Sequence, residues 1–234
     1  MAAVAPMERD TVRLLEADPE LAGELDAALI AAVSAPLLRL GPEPGLRVPD
    51  PPRGAMGLLV LEGLLSRQVL LSGRSSVELL GPGDLLRPWQ DDGGAASVPS
   101  TARWRVLEPA RLAVLDPDVL EALRLVPGAL DVMLERAERR AHALSARLAI
   151  AQMPRLEDRL VAVFWHLADR WGRVEPCGVT IPLRLSHRVL AGLVCAQRPS
   201  VSVALKHLAD EGVLERGPNG TWRLCPAARA ALPG

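Results

Sequence analysis

From Ser186 to Leu214 the chain reads SHRVLAGLVCAQRPSVSVALKHLADEGVL, and few folds accommodate that pattern. Leu190, Leu193 and Val194 form the buried face of a first short helix, and Val201, Leu205 and Leu208 recur at helical spacing in a second. Pro199 suits the first turn of that second helix, because its fixed φ is helical and its missing N–H would have had no partner there. Gly212 supplies the stop. Two short helices joined by a tight turn make a helix-turn-helix, and on the face opposite the apolar one stand Arg198, Ser202 and Lys206, a polar, cationic stripe.

The rest of the chain determines what such a motif can serve. No apolar run approaches membrane-spanning length and the N-terminus lacks a signal peptide's basic-then-apolar order, so no membrane association is expected and the location is cytoplasmic. The 3 cysteines, Cys177, Cys195 and Cys225, form neither a CxxC pair nor an even framework, which predicts reduced, inert thiols. The net charge of −1 conceals an asymmetry: from Arg155 onward there are 11 Lys+Arg against 7 Asp+Glu, and before it 16 against 21. A polyanion would meet the end that carries the helix-turn-helix.

Taken in order, residues from about Met7 to Leu40 read as an amphipathic helical lead-in, with Leu14, Leu15, Leu21, Leu25, Leu29 and Ile30 on one face and a new helix starting at Asp18-Pro19. Gly41 to Gly54, rich in Pro and Gly, is turn or loop. Between Met56 and Leu115 short apolar runs (57–61, 68–71, 77–80, 104–107 and 111–115) alternate with turn residues, which predicts an antiparallel sheet closed into a sandwich or barrel. GLLVL carries apolar residues on both faces, so periodicity alone does not exclude a buried helix there. QDDGGAASVPST, from Gln90 to Thr101, is a long loop in which Asp91-Asp92 is a solvated turn.

Beyond Pro117 the pattern is helical. Leu130, Leu134, Ala137, Ala141, Leu144, Leu148 and Ala151 follow the 4-3 spacing of a coiled-coil seam, which predicts a self-pairing dimer helix on the order of 35 Å long. Pro154 ends it, leaving a hinge at Met153-Pro154. Leu156 to Trp171 forms another amphipathic helix, with Leu160, Val163, Phe164 and Leu167 inward and a stop at Gly172. VTIPL (179–183) reads as an edge strand because of Pro182, and LERGPNGTWRL as two strands about a Pro218-Asn219-Gly220 turn. Helix, strand, helix-turn-helix and hairpin in that order make a winged helix.

This order of parts resembles the Crp/Fnr (cyclic-AMP receptor protein) family of bacterial transcription regulators. RPSVSVALKHLADEGVLER is similar to the family's DNA-reading motif, GLLVLEGLL resembles the strand entering its β-roll, GPGDLL its Gly-Asp turn, and WRVLEPARLAVLD the strands that close the roll. The resemblance implies an α+β fold in three parts. Residues 1–126 are N-terminal helices and a cyclic-nucleotide-binding-like β-roll sensor, 127–153 a dimerisation helix and hinge, and 154–234 a winged helix-turn-helix domain. The expected function is sequence-specific, homodimeric DNA binding without enzymatic activity, with RNA polymerase a further partner. The alternative is a sensor or scaffold whose winged helix mediates protein contacts. Binding to double-stranded DNA is assigned to Ser186, His187, Arg198, Pro199, Ser200, Ser202, Val203, Lys206 and Asn219. Arg198 resembles the family's base-reading Arg, whose fork fits guanine. Ser186 and Ser200 resemble phosphate contacts, Val203 can meet a thymine methyl, and Arg216 and Arg223 flank the wing.

The sensor departs from the family. Arg87-Pro88 stands where cyclic-nucleotide binders carry a ribose-holding Gly-Glu, and Thr101-Ala102 where they carry a phosphate-holding Arg. Losing that bidentate partner would cost a few kcal/mol, so cyclic AMP is not expected, although Arg87 or Arg103 could compensate. No cysteine precedes Cys177, against an iron-sulfur cluster. His142, His166, His187 and His207 all fall in helices outside the roll, against haem. No metal or other cofactor is expected, and no catalytic constellation is apparent. Arg87, Trp89, Arg103 and Trp104 are the candidate effector residues, the tryptophans either flanking an apolar cavity or packing in the core.

Overall fold

The computed structural model describes residues 10–23, 27–42, 53–90 and 99–229. The chain divides into two units, residues 1–72 with 78–141 and residues 73–77 with 142–234. Most of the Gly41–Gly54 turn segment and of the Gln90–Thr101 loop, with Asp91-Asp92, lies outside the described residues.

The lead-in is not one amphipathic helix. It consists of β1 (Thr11–Arg13), the short helices α1 (Leu14–Ala17), α2 (Pro19–Ala22) and α3 (Ala27–Ala32), and the strand β2 (Ser34–Leu40). The expected start at Pro19 is met, but Gly23 breaks the run at positive φ and Pro36 cannot continue a helix. From Ala35 the burial alternates: Ala35 and Leu37 enter one core cluster, Leu38 and Leu40 another, the period-2 signature of a strand. Leu25 lies outside the described residues.

The first unit is built on a six-stranded antiparallel sheet of order β1-β2-β6-β3-β4, with β5 (Leu85–Leu86) paired to β3. The strands β3 (Gly57–Leu71), β4 (Arg74–Leu80) and β6 (Thr101–Leu115) contain the five expected apolar runs, four of them merged pairwise into the two 15-residue strands β3 and β6 and the fifth forming β4. β3 and β6 pair from Gly57↔Leu115 to Leu70↔Thr101, with register shifts between Val60 and Leu65. That irregularity accounts for Pro109 inside a strand, since the ladder steps from Glu62↔Arg111 to Leu64↔Glu108 and leaves Pro109 without a partner on β3. Gly63 is required beside it. Its φ is 91°, and a Cβ there would lie 2.2 Å from the Pro109 carbonyl oxygen.

The two-faced GLLVL run is resolved by the two cores. Leu59 and Leu61 pack with Leu15, Leu37, Leu115 and Leu123, whereas Leu58 and Val60 pack inside the roll with Leu65, Leu86, Leu112 and Val114. Each face of β3 covers a different cluster, so neither could be polar.

Helix α4 (Pro117–Arg124) opens with Asp116, whose side chain accepts the Val119 N–H at 2.9 Å. Helix α5 (Ala129–Ala151) is 23 residues long, about 35 Å. Only Ala129 and Met133 are buried on it. Along the predicted seam Leu130, Leu134 and Leu148 are 52%, 61% and 68% exposed, and Leu144, Ala137 and Ala141 are at least partly exposed too. The helix ends before Pro154, and α6 (Leu156–Trp171) begins after Arg155.

In the second unit, Leu160, Val163, Phe164 and Leu167 are buried as expected, with the Phe164 ring 5.1 Å from Trp222. VTIPL is corrected. β8 (Gly178–Ile181) is an interior strand in a four-stranded sheet of order β7-β8-β10-β9. The strand β7 (Arg173–Glu175), which the sequence reading missed, covers its outer side. Pro182 is tolerated because the strand stops one residue before it. The helices α7 (His187–Leu193) and α8 (Arg198–Asp210) follow, then the wing strands β9 (Leu214–Arg216) and β10 (Trp222–Leu224), paired Trp222↔Arg216. Asn219 (φ 64°) and Gly220 (φ 79°) make the turn between them.

Candidate nucleic-acid interface and sensor cavity

Helix α8 is fixed at both ends. At its C-terminus the Gly212 N–H donates to the Ala209 carbonyl (3.0 Å) and the Val213 N–H to the Leu208 carbonyl (2.9 Å), with Gly212 left-handed at φ 65°. That is the Schellman arrangement. Val201, Ala204, Leu205 and Leu208 are buried, so the opposite face is turned outward with Arg198, Pro199, Ser200, Val203 and Lys206 exposed. Neither Arg198 nor Lys206 has a carboxylate partner among the described residues.

Ser186 caps α7, its hydroxyl oxygen accepting the Val189 N–H at 3.3 Å, which leaves its hydrogen available to a phosphate. Ser202 departs from expectation. Its side chain is partly buried and its hydroxyl donates to the Arg198 carbonyl at 3.1 Å. The same oxygen lies 2.9 Å from His187 Nδ1. A Ser202 hydroxyl that donates to Arg198 accepts from His187 in the tautomer that carries its proton on Nδ1. The pair is a strut between the start of α7 and the second turn of α8. Burial holds the His187 pKa below the ordinary imidazole value, with Arg216 and Arg198 adding to the effect.

The turn between the helices contains Cys195 at φ 52°, a conformation that favours glycine. Arg159 and Arg147 donate to the carbonyls of Val194 (3.0 Å) and Leu193 (3.3 Å) at the end of α7, where the helix presents unsatisfied oxygens and partial negative charge. On the wing Asn219 is exposed, while Arg223 lies 3.6 Å from Glu215. The Arg216 guanidinium sits 5.9 Å from the Trp222 ring centre. Exposed Arg188, one position past His187, went unassigned although its place in α7 was legible.

The first unit contains a cavity of about 530 Å³ whose wall includes Met56, Leu59, Leu85, Trp104, Leu130, Met133 and Leu134. Of the four candidate effector residues, Arg87 and Trp104 reach it. Trp89 and Trp104 both pack against the roll core, and Trp104 lines the cavity as well. Arg103 alternates to the other face of β6 from Trp104 and is exposed, so it is not among the lining residues.

The reading from sequence missed Arg136, Arg140 and Arg67, which line the same space. Arg136 makes a bidentate contact with Asp18 (2.7 and 2.7 Å) and reaches Glu20 at 2.6 Å. Arg140 holds Glu78 at 2.7 and 3.0 Å and donates to the Leu85 carbonyl. Arg139 and Arg136 together hold the Glu20 carboxyl below its ordinary pKa. The spacing of Arg136 and Arg140, one helical turn apart, was the available signal. Asp84 in the Gly-Asp turn accepts the Gly81 N–H at 2.8 Å. No group of three or more candidate metal-ligating side chains occurs among the described residues.

In chain order the fold is an antiparallel sheet, a long helix and a winged helix-turn-helix. Residues 158–228 match the Crp-like helix-turn-helix domain. No curated protein sequence matches the chain. Among solved structures, a CooA mutant from Carboxydothermus hydrogenoformans aligns with a TM-score of 0.64 at 18% identity over 91% of this chain and 90% of that one. The c-di-GMP responsive global regulator CLP of Xanthomonas campestris aligns at 0.59 and 22%, over 86% and 99%. A transcriptional regulator of the CRP/FNR family from Thermus thermophilus aligns at 0.52 and 23%, over 83% and 97%. The chain therefore carries a Crp-like helix-turn-helix domain within the fold of the Crp/Fnr transcription regulators.

Proposed function

We propose that this chain is a transcription regulator that binds double-stranded DNA as a homodimer, each copy laying α8 in a major groove. The observation that carries this reading is the outer face of α8. Arg198 stands exposed in the first turn, with no carboxylate partner among the described residues, on a helix anchored by the Gly212 stop and the His187–Ser202 strut. A guanidinium so placed can reach guanine O6 and N7, with Ser186, Ser200 and Lys206 available to phosphates and Val203 to a thymine methyl. The exposed leucine seam of α5 supports self-pairing. A two-fold dimer implies half-sites about one helical turn, roughly 34 Å, apart. The sensor answers to something other than a cyclic nucleotide, haem or an iron-sulfur cluster, and the protein acts in the cytoplasm, with RNA polymerase as a partner on DNA and no chemistry of its own. Selection of genomic fragments by the wild type and by Arg198→Ala at one fixed salt concentration tests the reading. Sequence-preferring binding by the wild type and its loss in the variant are expected, and wild-type binding that competitor DNA abolishes would overturn it.

A further inference from the structure

A cavity reached by Arg67, Arg87, Arg136 and Arg140 looks built for an anion, yet each guanidinium is already engaged by its own chain. Asp18 and Glu20 hold Arg136, Glu78 holds Arg140 in bidentate contact and lies 3.8 Å from Arg67, and Arg87 donates to the Met56 carbonyl. The Arg136–Asp18 pair is well shielded, each side chain only 10% exposed. An anionic ligand would have to displace a tethered carboxylate, exchanging one charge-assisted pair for another against a high effective concentration. The rest of the wall is apolar and aromatic: Leu59, Leu85, Trp104, Leu130, Met133 and Leu134. At about 530 Å³ the space falls in the size range of small-molecule sites, which are mostly apolar with few polar anchors.

We propose that this cavity binds an uncharged, predominantly apolar small molecule, the carboxylates of Asp18, Glu20 and Glu78 standing where a ligand's anionic group would otherwise be held. Burying apolar ligand surface against these leucines, Met133 and the Trp104 ring supplies the affinity, and the neutralised arginines form a polar rim.

Titrating the purified full-length protein with uncharged N-phenyl-1-naphthylamine tests this, with anionic anilinonaphthalene sulfonate and cyclic AMP as comparisons. The uncharged probe should saturate at one per chain, accept excitation energy from tryptophan, and resist displacement by cyclic AMP. Trp104→Ala, by removing an aromatic wall, should weaken it by about tenfold. Leu85→Gln, a polar change at a partly exposed position, should do the same if the first variant folds poorly. Glu20→Gln and the Asp18→Asn/Glu20→Gln double variant should tighten the anionic probe by about tenfold by releasing Arg136, leaving the uncharged probe unaffected. Absence of saturable binding, as when a second copy's side chains fill the space, overturns the proposal. So does binding indifferent to both wall variants, or displacement by cyclic AMP. Arg198→Ala should leave probe binding intact, so a failure of the DNA reading and a failure of this one are separately visible.

Discussion

Along α8, Arg198 and Lys206 stand in solvent with no carboxylate partner among the described residues, whereas in the cavity of the first unit Arg136 and Arg140 are each gripped by carboxylates of their own chain. Both sets lie one helical turn or more apart on a helix face, and both are cationic. The contrast is one of provision: a cation left unpaired keeps its hydrogen-bonding capacity for a partner from outside, and a cation paired internally has exchanged that capacity for fixing the fold.

The comparison can be broken most forcefully at the cavity. Arg136→Met strands the shielded Asp18 carboxylate, and chemical denaturation should show a loss of about 3 kcal/mol, since breaking a buried pair leaves an uncompensated charge. Adding Asp18→Leu should recover most of it, because an apolar pair of similar bulk is tolerated there. Arg198→Ala should leave stability within about 0.5 kcal/mol, as exposed substitutions do. It should nonetheless cost about 1–3 kcal/mol of discrimination at one operator base, read by competition binding. If Arg198→Ala unfolds the domain, or Arg136→Met is neutral, the distinction fails.

A smaller gain is expected at Cys195, exposed and left-handed at φ 52°. Cys195→Gly should raise stability by about 1 kcal/mol, because glycine adopts that conformation without the Cβ clash. The smallest effect is one of pH. The folded His187 pKa lies below its unfolded value of about 6.5. Its contribution to stability is therefore complete above that value and declines as pH falls through it toward the folded pKa. Phosphates arriving beside Arg198, Arg216 and His187 would raise that pKa, so DNA binding should take up protons and tighten as pH falls from about 8 to about 6. A profile unchanged by His187→Gln would detach this titration from the strut.

Much of this was legible in the chain because local rules decide it. Pro199, Gly212 and the Val201–Leu205–Leu208 spacing define α8 without reference to anything distant. The unit around the cavity was harder to read. Ser34 to Leu40 looks helical when only leucines are counted, and becomes a strand because β6 offers it a ladder from Leu37↔Ala113 to Leu40↔Ala110. Pro182 argued for an edge, but the missed β7 covers the outer side of β8. Arg136 reads as a solvated charge until Asp18, distant in sequence, is brought to it. Pairings over such separations leave no local period to detect.

The long ladder that pairs Gly57 with Leu115 and Leu70 with Thr101 has a consequence in time. Its strands must meet across a wide stretch of chain before any hydrogen bond compensates the lost freedom, whereas α7 and α8 form from neighbours in sequence. The winged helix is therefore expected to acquire its structure quickly and the sheet of the first unit slowly. A freshly refolded molecule would present a finished α8 face while the ladder between β3 and β6 is still incomplete.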